Sequence, residues 1–501
     1  MLRRTLASAV AVPVAVLLIA APSAFGQEYV AGSDGLGDPF FPQAGNGGYD
    51  TTHYSLDLDY DQPANRLEGS VVIDATATQN LRRFNLDFRD FYSISNLTVN
   101  GERANFARPG QQELAISPAD GLDEGSDFTV QIDYAGKPKP IKDPDKSIEG
   151  WIPTDDGAFV VNEPQGSPGW FPVNDNPRDK ATYDITVSVP EGNTVIANGQ
   201  LVSHTTAGGQ ETWHWSEGSP MASYLVTATN GVFRTESRPE RCDQGEPLLC
   251  SYTTDFGLQM YDAVDPTTRR ALTDPPDPDL AYERLDPQPE IIQFFSDLYG
   301  DYPYTSGGGI IDTAHFVGYA LESQTRANYQ RIPLPPTVVH EVSHQWFGNA
   351  VSIKQWPDIW LNEGFATFSE WIYAEEHNGP SAAEQFDDLY ATEEDDPFFE
   401  ELWFPAPAAL HHPSQLFHTP VYDRGAMTLQ ALREKVGDGT FFDILRAWYS
   451  ENRAQSVTTD ETVTTGDFIA LTKELTTNVS DEELENFFQV WLFEEGRPES
   501  W

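Results

Sequence analysis

With 501 residues, 39% hydrophobic and 12% aromatic, the chain can bury a large core; at roughly 100–200 residues per domain it makes two or three domains. Seventy-eight Asp and Glu against 30 Lys and Arg give a formal net charge of −48, which repels phosphate backbones and anionic lipid and excludes nucleic acid as a partner. Twelve Trp, 20 Tyr and 29 Phe exclude a disordered acidic chain, and two Cys exclude a cysteine-rich scaffold.

Residues 1–26 read as a cleaved signal peptide: Arg3 and Arg4 supply charge, Leu6 to Ala21 is apolar, and Ala24-Phe25-Gly26 offers small residues for cleavage. The alternative, a retained membrane anchor, is opposed by the shortness of the apolar run and by Pro13, so no stable anchor is expected. Arg3-Arg4-Thr5-Leu6 also fits a twin-arginine signal, which leaves the export route open. The expected location is extracellular.

Residues 27–50 are rich in Gly, Pro and Asp and read as an extended lead-in to an all-β domain over 27–236. Within it Tyr54, Leu56, Leu58 and Tyr60 alternate with polar residues, as do Phe128, Val130, Ile132 and Tyr134, and Tyr183, Ile185, Val187 and Val189. Asn198-Gly199 reads as a hairpin turn. Cys242 and Cys250, with Gly245 and Pro247 between them, are expected to close a small loop by a disulfide once exported.

A second, mainly helical domain is expected over 237–501. Glu290 to Leu298 reads as one helix, Thr337 to Trp371 as two, and most of the chain from Arg424 onward as helical. Ser480 and Glu483 form a capping box for a last helix whose Leu484, Phe487, Phe488 and Trp491 make a core stripe. Glu393 to Asp396 reads as a solvated turn.

His340-Glu341-Val342-Ser343-His344 places two imidazoles at i and i+4 on one helix face, able to reach one ion. Separated from His344 by eighteen residues, Glu363 in Trp360-Leu361-Asn362-Glu363-Gly364 offers a third ligand on a second helix. Two His and one Glu fit a catalytic Zn2+ site, one ion per chain, that keeps a fourth position open. Glu341 is then the general base that takes a proton from water on the metal. Glu370, two turns past Glu363, reads either as a carboxylate orienting a ligand or as a plain surface glutamate.

These motifs resemble those of the gluzincin aminopeptidases of the aminopeptidase N and leukotriene hydrolase group. Tyr422-Asp423-Arg424-Gly425-Ala426 is similar to their Tyr-x-Lys-Gly-Ala segment, and Tyr319-Ala320-Leu321-Glu322-Ser323 to their Gly-Ala-Met-Glu-Asn exopeptidase motif. Glu163-Pro164, then Phe171-Pro172 and Asp175, resembles the part of their β-domain that reaches the active site. The resemblance implies an α+β multidomain fold: a saddle-like all-β domain followed by a thermolysin-like, mainly helical zinc peptidase domain. It implies hydrolysis of the N-terminal bond of peptides that carry a free N-terminus. Tyr422 is expected to stabilise the oxyanion, Glu322 and Glu163 to bind the α-ammonium, and backbone around Gly318 and Ala320 to hold substrate as an added strand.

Only Ala320 and Glu322 of the exopeptidase motif are retained, and Val161 stands where many relatives carry glutamine. Arg424 in place of Lys is expected to be without consequence. The chain stops at Trp501, about where relatives begin a helical C-terminal domain, so a shorter and more open protein is expected. A thermolysin-type endopeptidase and a silent peptide-binding scaffold are the alternatives. The sequence carries no signal of an oligomeric state.

Overall fold

The computed structural model describes residues 28–233, 242, 249–456 and 462–500. The signal-peptide reading of 1–26 and the domain boundary at 236/237 lie outside the described residues.

The alternating segments fold as expected, because a strand with apolar residues on one side must bury that face. They meet in an eight-stranded sheet whose central strands are Lys180–Pro190, Tyr49–Asp61, Arg66–Ala77 and Asp127–Gly136, in that spatial order. Tyr54, Leu56, Leu58 and Tyr60 are buried, while Asp57 and Asp59 between them are exposed. Lys180–Pro190 and Tyr49–Asp61 pair in parallel, and the rings of Tyr54 and Tyr183 stack at 4.9 Å. A second sheet of five strands includes Ile148–Pro153, Ala158–Val161 and Ala228–Gly231. Ala158–Val161 is buried along its whole length, and the chain runs from it directly into Glu163.

The lead-in is tied to the helical half: Asp38 is buried and its carboxylate accepts from the Trp356 N–H at 2.8 Å. One expectation needs correction. Asn198-Gly199 does not close a hairpin. Thr194–Ala197 before it pairs in the five-stranded sheet, and Gln200–Ala207 after it pairs in the eight-stranded one. The turn instead docks on the helical half, with Asn198 Nδ2 donating to the Gln324 carbonyl at 2.7 Å and Gly199 N–H to Thr325 Oγ1 at 2.8 Å.

The second half has a small mixed sheet as well as helices. Gln259–Val264, Gly309–Ile311 and Ala327–Tyr329 run parallel, and Ala320–Leu321 pairs antiparallel with Ala327–Tyr329 as the sheet's last strand. Four helices come first: α1 (Pro278–Leu285), α2 (Gln288–Tyr299), α3 (Pro335–Ser343) and α4 (Trp360–Glu376). The sequence reading missed α1, which Asp277 caps by accepting from Leu280 N–H, and the short helices Ala382–Tyr390 and Pro397–Trp403. The Ser480–Glu483 capping box forms, and the stripe from Leu484 to Trp491 is buried. Cys242 and Cys250 are joined in a disulfide.

The acid excess is not all surface. Asp87, Asp175 and Asp179 are buried in the β-domain, where burial raises their pKa, and burial pushes Glu217 up to about 7. The unfolded chain titrates such groups near pH ~4. The folded form therefore binds extra protons between these values. Stability from this source is complete below about pH 4 and is lost as pH rises through the folded values. The melting temperature should accordingly fall from pH 5 to pH 8, with growing self-repulsion acting in the same direction. A melting temperature that rises over that interval would contradict this reading.

Candidate active site

Helix α3 starts on Pro335 and Pro336, residues suited to a first helical turn, and carries His340 and Glu341; His344 caps it. The two imidazoles share a face, with ring centroids 4.7 Å apart. The first turn of α4 brings Glu363 against them. Its Oε2 lies 3.1 Å from His340 Nε2 and 3.4 Å from His344 Nε2, and the three donor atoms fall within 4.8 Å of one another. Ligand atoms at 2.0–2.2 Å around a tetrahedral cation sit about 3.4 Å apart, so the donor set fits one Zn2+.

The outer ring nitrogens fix that orientation. His340 Nδ1 donates to Glu370 Oε1 at 2.7 Å, and His344 Nδ1 donates to the Phe347 carbonyl at 3.1 Å. Glu370 is therefore no plain surface glutamate: it holds the first histidine. Burial opposes charge on His340, but the Glu363 and Glu370 carboxylates outweigh it and raise its pKa well above the ordinary value. Glu363 is likewise buried, yet the adjacent histidines, His344 first, hold it down to about 2.

Three further buried carboxylates enter the same cavity of about 290 Å³: Glu341, Glu322 and Glu163. All are buried, and each has one oxygen without a hydrogen-bond partner among the described residues: Glu341 Oε2, Glu322 Oε1 and Glu163 Oε1. Unpaired buried carboxylates are costly, and such groups cluster where a ligand completes them. Burial pushes Glu341 up to about 8. Burial and then mutual repulsion with Glu322 raise Glu163 as well. Glu322 follows the edge strand Ala320–Leu321, and its carbonyl accepts from Gln345 Nε2 at 3.1 Å and Asn349 Nδ2 at 2.8 Å. Ala320 lines the cavity, whereas Gly318 lies beyond it in an adjoining one.

Tyr422 lines the cavity from a π-helical turn, Pro420–Arg424, with its ring 6.0 Å from that of His340. Burial, reinforced by Glu363 and Glu163, raises its pKa well above the usual phenol value, so the hydroxyl stays protonated. Two glycines set this approach. A Cβ on Gly364 would lie 2.9 Å from Gly425 Cα, and one on Gly425 would lie 2.8 Å from Gly364 Cα. The backbones beside Glu363 and Tyr422 thus touch without intervening side chains. Gly425→Ala should cost about 1–3 kcal/mol by overpacking and push the Tyr422 backbone away from α4. A wild-type melting temperature would contradict this.

Arg424 is far from inconsequential. It is fully buried, and its guanidinium donates to the carbonyls of Trp491, Trp403 and Val490 at 2.9 Å each and of Glu494 at 2.5 Å. Lysine has three donors at a single point and cannot span four carbonyls. The sequence reading also missed Asp145, Ser147 and Phe417, which line the cavity from distant loops. Nothing local in the sequence marks them. Gln345 and Asn349 were the readable ones, since they follow His344 closely.

Comparison with known proteins gives a consistent picture. Residues 310–491 match the Peptidase family M1 domain and residues 50–225 the Peptidase M1 N-terminal domain. Aminopeptidase N of Lactococcus lactis subsp. lactis is 24% identical over 492 residues, covering 89% of this chain and 51% of that protein. Endoplasmic reticulum aminopeptidase 1 of Homo sapiens is 25% identical over 425 residues, covering 78% of this chain and 42% of that protein. The chain thus spans about half or less of the length of these curated relatives. An M1 zinc metallopeptidase from Deinococcus radiodurans superposes with a TM-score of 0.76 at 25% identity, over 93% of this chain and 98% of that one. A mutant of the Deinococcus radiodurans enzyme bound to a Tyr-Ser-Ala substrate gives 0.77 at 26% identity, over the same 93% and 98%.

Proposed function

The chain belongs to the M1 peptidase family, and from that membership we propose that it is a zinc-dependent aminopeptidase hydrolysing the N-terminal peptide bond of peptides. One observation carries the reading: a His2Glu donor set shares its cavity with three buried carboxylates that each keep an oxygen unpaired among the described residues. The structural relatives bound to L-arginine, L-tryptophan and Tyr-Ser-Ala support amino-terminal residues and short peptides as occupants.

His340, His344 and Glu363 would hold the metal. Zn2+ in such a site supplies a Lewis acid that polarises the scissile carbonyl and acidifies water. Glu341 takes the proton of the attacking water on its free carboxylate oxygen and passes it to the leaving amine. Glu322 and Glu163 accept hydrogen bonds from the α-ammonium, which fixes the substrate's end so that only its first bond reaches the metal. The strand edge at Ala320, continued by Gly318, aligns the peptide backbone. Glu370 keeps the His340 ring in register.

Tyr422, protonated throughout, donates its hydroxyl to the carbonyl oxygen as negative charge grows there. Removing such a donor costs about 3–4 kcal/mol in the transition state. Tyr422→Phe should therefore lower kcat about 10²–10³-fold with little change in KM. A variant that changes KM alone would assign Tyr422 to substrate binding only.

The charged, apolar and small-residue pattern of residues 1–26 and the Cys242–Cys250 disulfide support an exported enzyme. The reading as a whole is tested by aminoacyl-anilide hydrolysis, which should vanish with a chelator and return with added Zn2+. Hydrolysis that survives complete zinc removal would refute it.

A further inference from the structure

A second cavity of about 420 Å³ adjoins the first and shares Tyr319, Ala320 and Thr337 with it. Its character is the reverse of its neighbour's: Arg270 and Arg331 line it, over an apolar surface that includes Ile332 and Leu334. Arg331 is exposed and makes no ion pair among the described residues. Arg270 is 61% exposed at its side chain and approaches Asp274 only at 3.9 Å. Arg269, next to Arg270 in the chain but not lining the cavity, has its guanidinium bonded to the carbonyls of Thr267 and Asp274. After burial, the fields of Arg331 and Arg269 further lower the pKa of His315. In a chain of net charge −48, this places a cationic wall beside an acidic pocket.

The strand geometry gives that polarity a direction. Ala320–Leu321 is the last strand of its sheet, so its outer edge is available to an added strand. Glu322 stands at its C-terminal end, in the first cavity, and Gly318 before its N-terminal end, in the second. A peptide whose amine sits at Glu322 and whose body follows this edge must therefore run antiparallel to it. Its downstream residues then reach Gly318. At about 3.3 Å per residue, that path takes three or four residues.

Resting on the aminopeptidase reading, we propose that Arg270 and Arg331 form a leaving-side subsite that binds the free C-terminal carboxylate of tri- and tetrapeptides. The acidic pocket takes the ammonium end and the cationic one the carboxylate end of a short zwitterionic peptide. Two guanidinium contacts in a cleft give charge-assisted pairing and focus the local field against the chain's overall negative charge.

The test compares Leu-Gly-Gly as free acid with its C-terminal amide, on the wild-type enzyme and on the Arg270→Gln/Arg331→Gln double variant. The free acid should be favoured about tenfold in kcat/KM, mainly through KM, and the ratio should approach one in the variant. Melting temperature verifies that the variant is folded. Equal rates for acid and amide in the wild type, or an undiminished ratio in the variant, would overturn the proposal. An equal gain from Leu-Gly-Asp-amide would assign the arginines to acidic side chains and overturn the terminal-carboxylate assignment. Calorimetric binding of acid and amide to Glu341→Gln reads the subsite without turnover. Failure of the wild type to cleave leucyl-anilide refutes the aminopeptidase reading, whereas the acid-to-amide binding ratio judges the subsite.

Discussion

Glu341→Gln should reduce kcat about 10³-fold or more while leaving KM and zinc content near wild type, because it removes the proposed proton acceptor and none of the proposed ligands. General acid–base catalysis contributes roughly 10²–10⁴-fold, and here a single carboxylate would serve both transfers. Glutamine matches glutamate in shape, and the distances among His340, His344 and Glu363 do not involve residue 341. The exchange also replaces a buried carboxylate whose Oε2 has no partner among the described residues, so stability should not fall. Kinetics combined with metal analysis read both effects. A variant within about tenfold of wild-type kcat would remove Glu341 from the chemistry.

Glu322→Gln should lower kcat/KM for substrates with a free amine about 100-fold. A charge-assisted hydrogen bond is worth roughly twice a neutral one, and truncating one partner of a buried charge pair costs about 2–5 kcal/mol. The Glu322 carboxylate is buried, and its backbone is pinned by Gln345 and Asn349, so the variant should keep its fold. Its discrimination against N-acetylated peptides should shrink in proportion. If the free-amine rate falls while discrimination is unchanged, Glu322 acts on something other than the ammonium.

The parts of this site that were legible in the sequence are those with local spacing. His340, Glu341 and His344 lie within one helical turn, and the Trp360–Gly364 setting of Glu363 starts the next helix. The alternating strands were equally plain, since period-two patterning reports a buried face directly. What escaped depends on contacts between distant segments. Period-two patterning does not specify which strands pair, so the parallel pairing of Tyr49–Asp61 with Lys180–Pro190 was invisible. The Asn198-Gly199 turn had the composition of a hairpin, but its flanking strands are drawn into different sheets. Glu370 had a surface glutamate's sequence context, and only the angle between α3 and α4 brings it to His340 Nδ1. Arg424 seemed interchangeable with lysine because the four carbonyls it gathers lie 21 to 70 residues away along the chain. Asp145 and the arginines of the second cavity belong to the same class.

The central claim is that the carboxylates beside the metal site read a free amino terminus. It is tested most directly by measuring cleavage of one peptide in two forms, with its α-amine free and N-acetylated, on zinc-loaded enzyme. The account predicts removal of the first residue from the free peptide and rates at least about 100-fold lower on the acetylated one, since the ammonium then no longer pairs with Glu322 and Glu163. Equal rates on both forms would contradict it and identify an endopeptidase built from the same metal ligands.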